Sequence, residues 1–342
     1  MRYLQTNFMK LSGQLRIVNR DGTALDDGVN VCPVDYFGQM WVSKVQVLVN
    51  NMLVSDSGAD YGLKVLAQTV LNYDDSALPC RLKSAGFEGD NALVDEAGVL
   101  KPGWERIAPW AALRKHKSRF SGSKWVEFCS DLNVDMFRTN REWPNGVNLD
   151  IRVFRKPDDF FIMAEDDDDG DYRFEIKNLE LQIRKVQPNQ AVVAANNEAI
   201  ERIGAKYQFN SWDMHQMYLY AGNKSFNSLS LFRGYIPSKT VYFFIDADAF
   251  KGTVKKNPLI FKNWGLKKFV QNINGVSAPT RPLVFDWPSE NISDSYSAVF
   301  DGTGISSMNR GNLVTYAAFK QARFMLVYDN TCDGANYYDF AR

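Results

Sequence analysis

The stretch WPNGVNLDIRVFRKPDDFFIM, Trp143 to Met163, decides how the rest of the chain is read. Asn145-Gly146 is a turn pair, because Gly takes positive φ at no steric cost. After it, Leu149, Ile151 and Val153 fall on one face, with Asp150, Arg152 and Arg155 mostly off it. That is the period-two pattern of a half-buried strand. A charged break and a short apolar strand follow. The local reading is β-sheet with sharp corners.

Working outward, strand and turn signals recur. QLRIVNR runs into Asp21-Gly22, and in KVQVLVNNMLV the residues Val45, Val47 and Val49 share a face before Asn50-Asn51 turns the chain. YGLKVLAQTVLNY, Tyr61 to Tyr73, reads as a helix. Beyond the midpoint, LELQIR places Leu179, Leu181 and Ile183 on one face; Pro188 ends the strand, and Asn189 caps a helix through Ile203 that Gly204 closes. TVYFFIDADAF predicts a strand with Val241, Phe243 and Ile245 inward. NINGVSAP carries the hairpin pair Asn274-Gly275, and RFMLVYD alternates Phe324, Leu326 and Tyr328. Each half therefore reads as many short strands plus one helix. Between Ala77 and Phe120 the chain is long and irregular, with Pro79, Gly86, Gly89, Gly98, Pro102, Gly103 and Pro109. So long a connection is unusual unless it has a job, and Trp104 and Trp110 are its candidate anchors for subunit contacts.

In this order the blocks resemble the capsid proteins of Polinton (Maverick) virus-like transposons and the related adintoviruses. The resemblance is carried by Trp143–Met163, by PVDYFGQMWVSKVQVLVNNMLVS from Pro33 to Ser55, by Leu179 to Tyr207, and by Leu231 to Leu266 with the strand and turn FVQNINGVSAP. Within the last of these, Gly234, Pro237, Asp248, Ala249, Phe250, Gly252, Asn257, Pro258 and Phe261 match the family pattern, while Leu259 replaces its usual aromatic. The family also carries a strand region before the segment like Tyr3 to Arg20 and further strands beyond the point matching Arg342. An incomplete chain is implied, or else an edge strand that a neighbour supplies or that is absent.

The resemblance implies an all-β double jelly roll: two eight-stranded-type sandwiches with short helices in their connections, residues 1–164 and 172–342, joined by an acidic linker at 165–171. It implies a major capsid protein whose homotrimers form pseudo-hexagonal capsomers in the virion, made in the host cell interior and contacting neighbouring capsomers and minor, penton-forming capsid proteins. The alternatives are that minor vertex protein, with a single jelly roll, or a carbohydrate-binding β-sandwich module using Trp104, Trp110 or Trp212 as a sugar platform.

Composition sets bounds of its own. The 342 residues suffice for two ordinary domains, and the hydrophobic share of 45% and charged share of 23% are those of a globular chain. Forty basic residues balance forty acidic ones, leaving no global field to hold nucleic acid nonspecifically. The one dense basic-aromatic run, Lys255 to Lys268, reads as a solvated loop or a contact to an acidic neighbour. No sequence-specific nucleic-acid partner is expected. The opposite run, Glu165 to Asp171, could offer oxygen ligands to a hard cation, but it lacks alternating ligand spacing and a distal Glu. It reads instead as a self-repelling hinge.

Cys32, Cys80, Cys129 and Cys332 show no C-x-x-C spacing, and only two histidines exist to complete a zinc site. No window approaches the ~18 apolar residues of a membrane span, and the N-terminus lacks a signal-peptide apolar region. Of the histidines, His116 sits in the basic, surface-like RKHKSRF, and His215 in DMHQMYLY reads as a structural histidine on a strand. No phosphate-binding loop occurs, since DGTGISSMNRG lacks the lysine. The reading assigns no catalytic, cofactor-binding or metal residues and expects no enzyme.

Overall fold

A computed structural model describes residues 2–89, 111–165, 170–227, 231–232, 235–278 and 281–331. The chain opens on β1 (Tyr3–Asn19), where Met9, Leu11, Leu15 and Ile17 are buried because alternate side chains of a pleated strand face one side. At the turn beyond it, Gly22 takes φ 93° and the Thr23 N–H donates to Asp21 Oδ1 at 2.8 Å. β2 (Val31–Pro33) and the short α1 (Phe37–Met40) lead into a hairpin of β3 (Val42–Val49) and β4 (Met52–Asp56). Its corner is Asn50-Asn51, with φ of 49° and 67°, the double positive φ that matches the twist of paired strands. Val45 and Val47 are buried as the alternation predicts.

α2 (Tyr61–Asn72) is buried from Tyr61 to Leu71; a helix covered on all sides is a core helix. α3 (Ala111–Phe120) and β5 (Val126–Asp131) come next, then β6 (Leu149–Arg155), α4 (Asp158–Phe161) and β7 (Ile162–Ala164). Thus Trp143–Met163 folds as its sequence predicts. Gly146 takes φ 91°, and Ile151 and Val153 lie opposite Val47 and Val45 of β3. Leu4 and Trp143 exchange backbone hydrogen bonds of 2.9 Å in both directions, which ties this block to the start of the chain.

The remaining elements are β8 (Tyr172–Val186), α5 (Gln190–Ile203), β9 (Lys239–Phe243), α6 (Ala247–Lys251), β10 (Lys268–Phe269), β11 (Asn272–Ile273), β12 (Val276–Ser277), β13 (Leu283–Val284), α7 (Ser293–Thr303), α8 (Tyr316–Gln321) and β14 (Met325–Asp329). The described residues form a β-rich fold with interspersed helices. The sheets are β5-β1-β8, β4-β3-β6, β2-β7, β14-β9, β10-β13 and β11-β12, none wider than three strands. Asn274-Gly275 turns the β11–β12 hairpin with φ of 50° and 83°. Asn189 caps α5, its side chain accepting from the Ala191 N–H at 3.1 Å, and Gly204 ends it.

Several expectations are corrected. Part of Ala77–Phe120 is regular: α3 packs against β2, burying Leu113, His116 and Phe120 on one face while Arg114 and Lys115 stay outward. Periodicity of 3.6 residues, masked by the basic residues, governs that stretch. Residues 90–110, with Trp104 and Trp110, lie outside the described residues. β14 is buried on both faces, Met325 and Val327 as fully as Leu326 and Tyr328, because β9 flanks it and α7 lies against it. In β9, Val241 and Phe243 are only half-buried, and the strand stops before Ile245. Lys255–Lys268 is not one solvated loop, since Asn257 to Phe261 are buried.

The acidic run connects two elements on the same side of the molecule. Ala164 pairs with Val31, and Tyr172 pairs with Asn19, so the strand placed by sequence at the head of the second roll runs antiparallel along β1. Asp166–Asp169 lies outside the described residues. One hydrophobic cluster extends from Met9 through α2 to Phe261, Phe324 and Tyr328. Backbone bonds cross the two halves, with the Ala164 N–H donating to Val254 O at 2.8 Å and the Leu313 N–H to Val70 O at 2.9 Å.

Candidate functional site

The surface of β8 changes character at Asn178. Before it, Tyr172 and Phe174 are buried; after it, every residue through Lys185 is exposed. Asn178 takes φ 50° at a register shift, where Lys177 faces Gln14 and Glu180 faces Ser12. The extra residue is a β-bulge, which bends the strand and re-aims the side chains beyond it. One extra residue keeps Leu179, Leu181 and Ile183 on the sheet face of Phe174, with Leu181 opposite the buried Leu11; they face as expected, yet are 46%, 36% and 36% exposed. α5 continues the same character, with no buried residue and with Val192 and Ile203 outward.

The chain from Gly204 to Asn227 has no helix or strand and lies over the first half by specific contacts. Tyr207 stacks on Trp143 at 4.4 Å and donates to Glu142 O at 3.1 Å. The Trp212 N–H donates to Asp135 Oδ2 at 2.9 Å, and Gln216 donates to Asp60. Held from below, this segment turns Met217, Tyr218, Leu219, Tyr220 and Phe226 outward, Tyr220 at 76% exposure; Tyr235, whose hydroxyl donates to Asp213, and Ile236 are exposed as well. Scattered exposed apolar residues are ordinary, but contiguous ones mark surfaces that meet another body.

Beneath this layer sits buried charge. Lys64 and Asp135 pair at 2.7 Å with side chains 3% and 6% exposed. Burial drives the Lys64 ammonium below its ordinary value, and Asp135 opposes that shift. A second cluster surrounds Asp35. Its Oδ1 accepts the N–H groups of Tyr36 and Glu88, each at 2.9 Å, its Oδ2 accepts the Gly89 N–H at 3.2 Å, and His116 Nε2 lies 3.0 Å from Oδ1. His116 is therefore a core residue, fully buried against Phe37, not a surface one. Three backbone donors on one carboxylate fix the α1 entry and the chain near Gly89, a structural arrangement.

His215 is not on a strand; it lies in the irregular segment, 45% exposed and edge-on to Phe232 at 5.0 Å. It and His116 do not share a site, since one is on the surface and the other in the core. Trp212 is half-buried, while Trp104 and Trp110 lie outside the described residues. Cys32, Cys80 and Cys129 are free thiols, buried, exposed and half-buried respectively; Cys332 lies outside the described residues. Among the described residues no group of three His, Cys, Asp or Glu is placed to hold a metal ion, and no helix is long and apolar enough to cross a membrane. A cavity of about 10 Å³ among Val70, Leu78, Phe87, Leu313 and Arg323 is at the lower limit for one water.

The sequence missed Asp35 and the Lys64–Asp135 pair as organising groups. One signal was present, a lysine inside the otherwise apolar YGLKVLAQTV. It also missed the exposure of the far half of β8, for which the alternation gives no sign.

No family model matches the chain. It is similar to an uncharacterized protein of Caenorhabditis elegans, F54H12.2, at 18% identity over 294 residues, which is 86% of this chain and 66% of that protein. The chain thus spans just under two thirds of that relative's length.

Proposed function

We propose that this chain is the structural subunit of an icosahedral capsid, of the double jelly-roll class found in Polinton and adintovirus-type elements, and acts as the major capsid protein in homotrimeric capsomers of a virion. The chemistry required is repeated burial of complementary surface. The observation that carries the reading is the outward apolar run of the 204–227 segment, Met217 to Tyr220 with Phe226, laid over a core closed by its own side chains. A subunit that functions by association needs such a layer; a monomeric module does not. Among the described residues the sheets have two or three strands with edges that no further strand pairs, which fits rolls completed by neighbouring chain. The family blocks that fold as expected, above all Trp143–Met163 and the Asn274-Gly275 hairpin, add to the same reading. Its partners are further copies of itself, neighbouring capsomers and a vertex-forming minor protein.

Negative-stain microscopy of the purified protein tests it. Trimers of hexagonal outline, or closed shells, are expected; uniformly monomeric particles would contradict it.

A further inference from the structure

We infer that the free edge of β8 is a two-fold contact, where Asn178–Val186 pairs antiparallel with the same strand of a second copy. The inference goes beyond the capsid reading and does not depend on it. β8 is the edge of the β5-β1-β8 sheet, and among the described residues its far half pairs only with β1. An edge strand presents a row of backbone donors and acceptors, a template for another strand. Protected edges carry bulges within the strand, prolines or inward charges; here the bulge at Asn178 stands at the start of the exposed segment, the second register shift, opposite Gln182–Arg184, has its extra residues in β1 between Gln5 and Lys10 and not in β8, and Leu179, Leu181 and Ile183 stay exposed.

The occupant is set by the segment's own sequence, NLELQIRKV. Antiparallel pairing about a two-fold axis through Gln182 sets Glu180 of each copy opposite Arg184 of the other, and Leu181 opposite Ile183. Both charge pairs and both apolar pairs then form at once, as an isologous interface requires. Moving the axis to Leu181 leaves Glu180 opposite Gln182 and Arg184 opposite Asn178, which loses the charge complementarity. Among the described residues Glu180 makes no ion pair within its own chain, and Arg184 covers the exposed Phe8 ring at 4.0 Å. The result is one continuous sheet, β5-β1-β8 joined to β8-β1-β5 of the second copy. So short a strand buries less than a standard interface, so the contact is weak alone and gains strength when other contacts repeat it.

Cross-linking reads the register directly. Opposed residues in an antiparallel pair have Cα atoms about 4.5 or 5.5 Å apart, both within disulfide reach. In a Cys80→Ser, Cys332→Ser background, Q182C should give a disulfide-linked dimer on oxidation. L179C should not, because its two copies would stand about 20 Å apart along the strands. Sedimentation at high concentration provides a second readout that needs no cysteine. E180R should weaken self-association about tenfold through two Arg–Arg oppositions, and E180R/R184E should restore it. Absence of a Q182C dimer, cross-linking of L181C in preference to Q182C, or failure of the charge swap to rescue would each overturn the inference. Loss of trimers would bear on the capsid reading alone.

Discussion

At the scale of single residues, buried charges and close backbone approaches are where a substitution costs most. Lys64 and Asp135 are partners inside the core, and Asp135 also receives the Trp212 N–H. Removing one member of such a pair leaves a buried charge uncompensated. D135N should therefore cost about 3–5 kcal/mol in urea unfolding and loosen the 204–227 segment, seen as faster amide exchange around Trp212. A loss below about 1 kcal/mol, the range of an exposed pair, would show the pair to be dispensable. Gly302 is a steric case: a Cβ there would meet the Val327 carbonyl where α7 crosses β14. G302A should lose about 1–3 kcal/mol, measured in the same way.

Buried tyrosines contribute to the alkaline limit, Tyr328 as well as Tyr36 and Tyr61. Burial holds the Tyr36 and Tyr61 phenols well above their ordinary value of 10.0. In the unfolded chain they ionise near pH 10, whereas in the folded protein they keep their protons. Above about pH 10 the unfolded state therefore binds fewer protons, so their contribution is complete below that pH and is lost as pH rises beyond it. Unfolding free energy should fall steadily above about pH 10, and the fall should be shallower in Y36F. An identical slope in wild type and Y36F would exclude the assignment.

At the scale of elements, local chemistry was legible and long-range placement was not. The Asn-Gly and Asn-Asn turns could be read because the required positive φ belongs to the residues themselves, and Asn189 and Gly204 bracket α5 for the same reason. His116 could not be read, since its partner Asp35 is 81 positions away and the basic residues around it hide an apolar helical face. β8 misled in the opposite sense. Leu179, Leu181 and Ile183 have the period of a core-facing strand and do share the face of the buried Leu11 and Phe174, but they stay exposed, and alternation reports a face without reporting what covers it. The acidic run can be tested at this scale. Its flanks are fixed by the Val31–Ala164 and Asn19–Tyr172 pairings, so replacing Asp166–Asp169 with Ser-Gly repeats should leave the melting temperature nearly unchanged with or without calcium. A calcium-dependent rise that the replacement abolishes would reveal a metal site instead.

At the scale of the whole molecule, the β-rich class was legible because turn residues punctuate short apolar runs throughout. The joining of the halves was not, because it depends on β8 returning to β1 and on backbone bonds such as Leu313 to Val70, which no local pattern announces. The outward apolar run of the 204–227 segment emerges only when the chain is folded. That run puts self-association at the heart of the proposed function. Light scattering at micromolar concentration, on E180R so that the β8 contact is weakened, measures it as a mass. A stable species of three 38.9 kDa chains is expected; a chain that stays monomeric as concentration is raised would contradict it.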